Sequence, residues 1–266
     1  MTKTQPVAGE WGLILGASSG FGAATARALA RAGMSIIGVH LDRKVTLPAA
    51  QAVARDVEEA GGAAHFFNVN AADDGKRAEV CARAKELVAD RPLRVLMHSL
   101  AFGTLRPLVS DTPANQTSRR QLEMTLDVMA HSLVYWTQDL RQVGLIGRGT
   151  RIFAMTSAGG TRAMPAYGAV SAAKAALESY VRQLALELGA SGVSTNAIRA
   201  GVTDTPALRK IPGNEIVMDE ARRRNPVGRL TEPDDVARVI VALSVTDTSW
   251  ISGNVIGVDG GEDVVA

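Results

Sequence analysis

Gly16-Ala17-Ser18-Ser19-Gly20-Phe21-Gly22 follows an apolar run at residues 12–15 and opens a helical pattern that ends near Gly33. Small residues at the spacing G-x-x-x-G-x-G let the backbone approach a pyrophosphate closely. The helix that follows offers unpaired N–H groups and the positive end of its dipole. Strand, glycine turn and helix in that order are the first unit of a dinucleotide-binding sheet.

The rest of the chain repeats that unit. Short apolar runs at 12–15, 35–40, 64–69, 95–99, 151–156, 193–198 and 255–258 predict strands. Helical patterns lie between them, near 21–32, 49–60, 73–89, 117–143, 165–189 and 232–245. Alternating strands and helices predict an α/β fold: a doubly wound, parallel, seven-stranded sheet with helices on both faces. No Pro/Ser-rich linker divides it, so residues 1–266 read as one domain. The least regular stretch, 203–229, carries Pro206, Pro212, Gly213, Pro226 and Gly228. It follows the carboxyl end of a strand, where ligands bind in such sheets, and reads as a substrate lid.

Composition narrows the function classes. Of 266 residues, 46% are hydrophobic and 21% charged, and the net charge is +2. That balance excludes nucleic acid and anionic membrane surfaces as partners. Arg222-Arg223-Arg224 reads as a solvated helix end. A single cysteine, Cys81, excludes an intramolecular disulfide and a thiolate metal cluster, and reads as a buried structural thiol. No run reaches the length of a membrane span, and residues 1–10 lack a signal-peptide core, so a cytoplasmic protein is expected.

The end of the second strand selects the nicotinamide cofactor. Counting from Gly16, that position is His40, with Arg43 and Lys44 close behind and able to pair with a 2′-phosphate. NADPH is therefore expected, with Asp42 keeping NADH as the alternative. Asn68-Val69 ends the third strand, where a side-chain amide meets an adenine amino group. His98-Ser99-Leu100-Ala101 ends the fourth, beneath the expected nicotinamide ribose; His98 reads as a strand-end histidine satisfied by backbone.

The fifth strand ends at Thr156-Ser157, and a helix predicted from near Pro165 carries Tyr167 and Lys174. Seven residues are about two turns, which puts both side chains on nearly one face. A lysine beside a tyrosine is expected to lower the phenol's pKa and to hold the cofactor ribose, an arrangement suited to proton donation.

The glycine loop, Asn68-Val69, the Tyr–Lys helix, Asn196-Ala197-Ile198 and the closing Gly253…Val258-Asp259-Gly260-Gly261 resemble the short-chain dehydrogenase/reductase superfamily, a Rossmann fold. Ordinary members carry Tyr-x-x-x-Lys, but the position four before Lys174 is Val170; Tyr167 gives Tyr-x6-Lys instead. That spacing resembles the enoyl-acyl carrier protein reductases. His98-Ser99-Leu100-Ala101, Arg162-Ala163-Met164-Pro165-Ala166-Tyr167 and Asn196-Ala197-Ile198-Arg199-Ala200-Gly201 are similar to stretches of the same branch. So is residues 205–212, which looks like its substrate loop. Met129 stands at the asparagine of the ordinary tetrad, and Ser157 where many of the branch have a second tyrosine.

The resemblance implies cofactor contacts from Gly16, Ser18, Ser19, Gly20, Phe21, Gly22, His40, Arg43, Lys44, Asn68, Val69, Ser99, Leu100, Ala101, Lys174, Ala200, Gly201, Val202 and Thr203. It implies reduction of a 2-enoyl thioester, carried on acyl carrier protein or coenzyme A, within fatty acid metabolism. Hydride goes to the β-carbon, Tyr167 bonds the enolate oxygen and Lys174 anchors the ribose, without a metal. Ser157 either holds the substrate carbonyl or completes the strand end. Leu208, Ile211, Ile216, Val217 and Met218 of the lid would cover an acyl chain or pack internally. Two alternatives stand beside this: a 3-oxoacyl or other carbonyl reductase using Tyr167, and a non-catalytic dinucleotide-binding protein. A homotetramer is implied, with Tyr135, Trp136 and Tyr180 either at its interfaces or in the core.

Overall fold

The computed structural model describes residues 7–89 and 91–265. Seven strands form one sheet: β1 (Trp11–Leu15), β2 (Ser35–His40), β3 (Ala64–Asn68), β4 (Val95–His98), β5 (Arg151–Thr156), β6 (Ser194–Ala200) and β7 (Val255–Val258). Their order is β3-β2-β1-β4-β5-β6-β7, and every pairing is parallel. The chain crosses the sheet between β1 and β4, so the crevice for a dinucleotide lies at their carboxyl ends.

Alternation along the strands decides which face each helix covers. Leu13, Leu15, Leu96, Ile152, Ala154 and Ala197 join one core, with α3 (Asp74–Val88), α5 (Ser132–Gln142) and α6 (Gly168–Leu188). Ile14, Val95, Met97, Phe153, Met155 and Ile198 face the other way onto α1 (Gly20–Arg31), α2 (Leu47–Glu59) and α8 (Pro233–Val245). Residues one apart serve opposite layers because successive side chains alternate across a strand. Each fully buried Leu or Ile stabilises the fold by about 1.5–3 kcal/mol.

Local chemistry sets the helix ends. Asp73 accepts a bond from the Lys76 amide at the start of α3. Ser118 and Gln121 form a capping box at α4 (Arg119–Leu126), and Glu232 with Asp235 does the same before Pro233 of α8.

Three sequence expectations change. The predicted helix at 117–143 is two helices, α4 and α5, joined by a π-helical turn at Asp127–His131. The helix predicted from near Pro165 starts at Gly168, leaving Tyr167 at its N-cap position. The stretch read as irregular contains α7 (Asn214–Arg224), which the surrounding prolines and glycines concealed. Trp136 is fully buried and its indole donates to the Ala71 carbonyl at 2.8 Å, so it belongs to the core.

Candidate active site

The glycine loop is shaped by what it must avoid. Gly16 has φ +90°, and a Cβ there would collide with the Ser99 carbonyl at the end of β4. A Cβ on Gly22 would strike the Gly16 carbonyl, so the first turn of α1 can sit against the loop only with hydrogen at that position. The result is a backbone cradle over the N-terminus of α1, which fits a pyrophosphate. Gly20 lies against the Thr205 side chain, so the loop after β6 closes beside the cradle.

At the adenosine end, His40 Nδ1 and Asp42 Oδ2 are 2.9 Å apart, and the Asp42 side chain is 10% exposed. Burial pushes its carboxyl up, but interactions with Thr46, Ser18 and His40 outweigh this and hold it below the usual range. The carboxylate thus faces Ser18 of the glycine loop. Arg43 and Lys44 are exposed, and their side chains make no polar contact among the described residues. The Asn68 amide is engaged on both atoms with the Asp42 backbone, at 2.8 and 2.9 Å. It therefore braces the turn after β2, the same amide that is expected to meet an adenine. Val69 donates its amide to the His40 carbonyl beside it.

At the nicotinamide end, His98 is fully buried. Ser132 donates its hydroxyl to the Val128 carbonyl, so the bond between His98 Nε2 and Ser132 Oγ, 2.8 Å, runs from imidazole to hydroxyl. Burial, then the Lys174 charge, pull the imidazole down to about 3, so it is neutral. Its side-chain partner is Ser132, and the backbone of His98 and Val128 also acts on it. Ser99, Leu100 and Ala101 continue from it beside Gly16, and Ser99 donates its amide to the Leu15 carbonyl.

Lys174 is buried, and its ammonium donates to the Met155 carbonyl at 2.7 Å. Burial pulls it down to about 8, with Glu178 opposing. Tyr167 stands one residue before α6, and Ala166 before it is left-handed, φ +59°. Burial pushes the phenol up, opposed only by Ser157. The expected lowering of the phenol by Lys174 is thus absent, because the lysine is turned to the strand end. Ser157 Oγ is buried and makes no hydrogen bond, although it lies near enough to Tyr167 to act on it. Two hydroxyls side by side, one of them unpartnered, form a ready site for one oxygen acceptor.

The position of the missing tyrosine is not a vacancy. Val170 is 5% exposed, and Gly103 packs so tightly that an added Cβ would lie 2.8 Å from Val170, 2.9 Å from Thr125 and 3.0 Å from the Met129 sulfur. Gly168, next to Tyr167, lies under Leu108. Gly103 and Leu108 therefore pack the segment after β4 against the first turn of α6, a contact unforeseen in the sequence because the segment lacks periodicity.

The loop after β6 is held by the chain's last turn. The Val202 amide donates to Glu262 Oε2 at 3.0 Å, and Thr203 caps the Gly201 carbonyl at 2.9 Å. Arg224 of α7 reaches the same Glu262, while Asp263 bridges Arg162 and Arg199. Ala200, Gly201, Val202 and Thr203 are thereby fixed beside the glycine loop. Of the apolar residues in 203–229, Ile211 packs on the core and Ile216 is 71% exposed. No group of His, Cys, Asp and Glu suited to a metal ion occurs among the described residues, and none of their helices is long and apolar enough to cross a membrane.

This fold and this site define a dinucleotide-dependent oxidoreductase. The profile of a family described as Enoyl-(Acyl carrier protein) reductase matches residues 16–262, and the chain belongs to this enoyl reductase-like group of short-chain dehydrogenases/reductases. It is 31% identical over 262 residues to the 1-cyclohexenylcarbonyl-CoA reductase of Streptomyces collinus, covering 96% of this chain and 87% of that one. It is 29% identical to the cis-4-hydroxycyclohexanecarboxylate dehydrogenase of Sinomonas cyclohexanicum, over 95% and 96% of the two chains. A short-chain dehydrogenase from Burkholderia cenocepacia, solved with NADP, superposes with a TM-score of 0.83 at 25% identity, over 97% and 100% of the chains.

Proposed function

We propose that the protein reduces the carbon–carbon double bond of 2-enoyl thioesters. The observation that carries this is the buried Ser157 hydroxyl, unpartnered beside Tyr167. Reduction of an enoyl thioester gathers negative charge on the carbonyl oxygen, and two preorganised donors aimed at one acceptor lower that barrier most. Bound nicotinamide supplies the hydride. Tyr167 and Ser157 hold the thioester oxygen, and Tyr167, kept protonated by burial, has the proton to give. Lys174 would hold the nicotinamide ribose. The glycine loop receives the pyrophosphate, and residues 99–118 and 203–229 exclude water. A relative named for reducing a conjugated enoyl-CoA supports the same substrate class.

The cofactor preference turns on Asp42. Its carboxylate faces Ser18 of the glycine loop, where it would repel a 2′-phosphate and could bind ribose hydroxyls. NADPH remains the reading only if Arg43 and Lys44, both exposed, override it. The geometry favours NADH.

A second reading, oxidation or reduction at a carbonyl carbon, is favoured by likeness to a dehydrogenase of a hydroxylated ring acid. Oxidation of NADH and NADPH is to be followed with crotonyl-CoA, a longer 2-enoyl thioester and a 3-oxoacyl thioester. Turnover on enoyl substrates supports the proposal; turnover on the 3-oxo substrate alone rejects it. Cofactor binding without any turnover would favour the non-catalytic alternative. For assembly, a homotetramer packed through α5 and α6 is proposed, with half-buried Tyr135 and Tyr180 at the contact, and light scattering tests it.

A further inference from the structure

We propose that Glu178 is a positioning residue for Lys174, its carboxylate locking α6 to the strand end that carries Ser157 and serving as counter-charge to the buried ammonium. This rests on the reading that Lys174 holds the nicotinamide ribose.

The buried face of α6 is built from Ala169, Val170, Ala173, Leu177, Val181 and Leu184, with two ionisable side chains among them, Lys174 and Glu178. They stand one turn apart, with opposite charge, and both reach β5. Lys174 Nζ donates to the Met155 carbonyl at 2.7 Å. Thr156 Oγ1 donates to Glu178 Oε1 at 2.6 Å. Consecutive residues of β5 are thus gripped by consecutive turns of one helix, and the next residue is Ser157. Gly160 roofs the pair: a Cβ there would come 3.0 Å from Glu178 Oε1 and 3.5 Å from the Lys174 Cβ.

A buried ammonium stays ionised only with a counter-charge near it, and the Glu178 carboxylate, itself bonded to Thr156, acts on Lys174 through space. Glu178 acts on Lys174 from its own helix, and from β4 Lys174 faces His98, which is neutral. Among the described residues, β5, β6, α4, α5, the π-helical turn with Asp127 and His131, and the turns at 158–160 and 189–191 also pack on α6, and none brings further charge to bear on Lys174.

The sign follows directly. Lys174 loses its proton as pH rises through about 8. Removing the negative charge of Glu178 lowers that value further, so ribose binding fails at lower pH. Cofactor affinity is to be measured by fluorescence from pH 6 to 10, with whichever of NADH and NADPH the wild type binds more tightly. In Glu178→Gln the alkaline loss of affinity is expected about one pH unit lower than in wild type. Weakened binding at every pH with an unmoved alkaline limb would show a merely structural role and overturn the proposal. If Glu178→Gln does not fold, the double variant Lys174→Met/Glu178→Gln, which has no ammonium to neutralise, is expected to fold; its failure also overturns the proposal. Lys174→Met alone separates the two claims. Wild-type affinity at all pH values there removes Lys174 from the ribose site. A limb abolished by Lys174→Met but unmoved by Glu178→Gln removes Glu178 alone.

Discussion

His40 Nδ1 and Asp42 Oδ2 lie 2.9 Å apart at the carboxyl end of β2, and the Asn68 amide clamps the Asp42 backbone from the next strand. The backbone of Asp42 is pinned by Asn68 and its carboxylate is engaged by His40, so the negative charge stays at the end of β2. Asp42→Ala removes the repulsion and leaves Arg43 and Lys44 in place. NADPH affinity is expected to rise at least about tenfold relative to NADH, as follows from removing one close like-charge contact. Paired fluorescence titrations check this; an unchanged ratio would place the 2′-position elsewhere.

That pair also marks where the sequence stopped being legible. The sheet, its seven strands and both helical layers follow from alternation, and β2, β5 and β7 have the predicted bounds. Tyr167 lies beside Ser157, and Lys174 reaches the end of the same strand. Hidden was the direction of side chains: Asp42 turned inward while its basic neighbours stayed exposed, and Lys174 turned to Met155 rather than to the phenol. Direction depends on contacts between distant residues, such as Asn68 with Asp42, for which local periodicity has no signal. Glu178 lay in plain view one turn beyond Lys174, but its partner Thr156 is 22 residues away.

Restoring the ordinary tyrosine should harm the protein. Val170 is sealed by Gly103, Thr125 and Met129, so Val170→Tyr forces a phenol into closed packing. Overpacking of this kind costs about 1–3 kcal/mol. Urea denaturation should show that loss, and turnover on 3-oxoacyl thioesters should not appear. A stable variant that gains carbonyl reduction would mean that position 170 reaches the substrate after all.

Ala166 holds φ +59°, a left-handed conformation that costs a residue with a Cβ about 1–2 kcal/mol unless its side chain can bond locally. Asparagine tolerates it. Ala166→Asn is therefore expected to raise the thermal midpoint by a few degrees, for about 0.5–1 kcal/mol gained. Tyr167, the next residue, keeps its place, so cofactor affinity should not change. A lower midpoint in calorimetry would show that the side chain at 166 has no room.

The two hydroxyls at the site should separate by role. Tyr167 is 9% exposed with its phenol pushed up by burial, so it stays protonated through neutral pH and keeps its donor. Removing one preorganised donor to a developing oxyanion costs about 10²–10³ in kcat. Tyr167→Phe is expected to lose that much on a 2-enoyl thioester while binding cofactor as wild type does, because the ribose is held by Lys174. Ser157→Ala removes a hydroxyl that is buried and unbonded without substrate. Its folded state should be no less stable, since an unsatisfied buried donor is lost, while kcat still falls. A Ser157→Ala variant that is destabilised but fully active would make the serine a strand-end residue, and the substrate oxygen would then rest on Tyr167 alone.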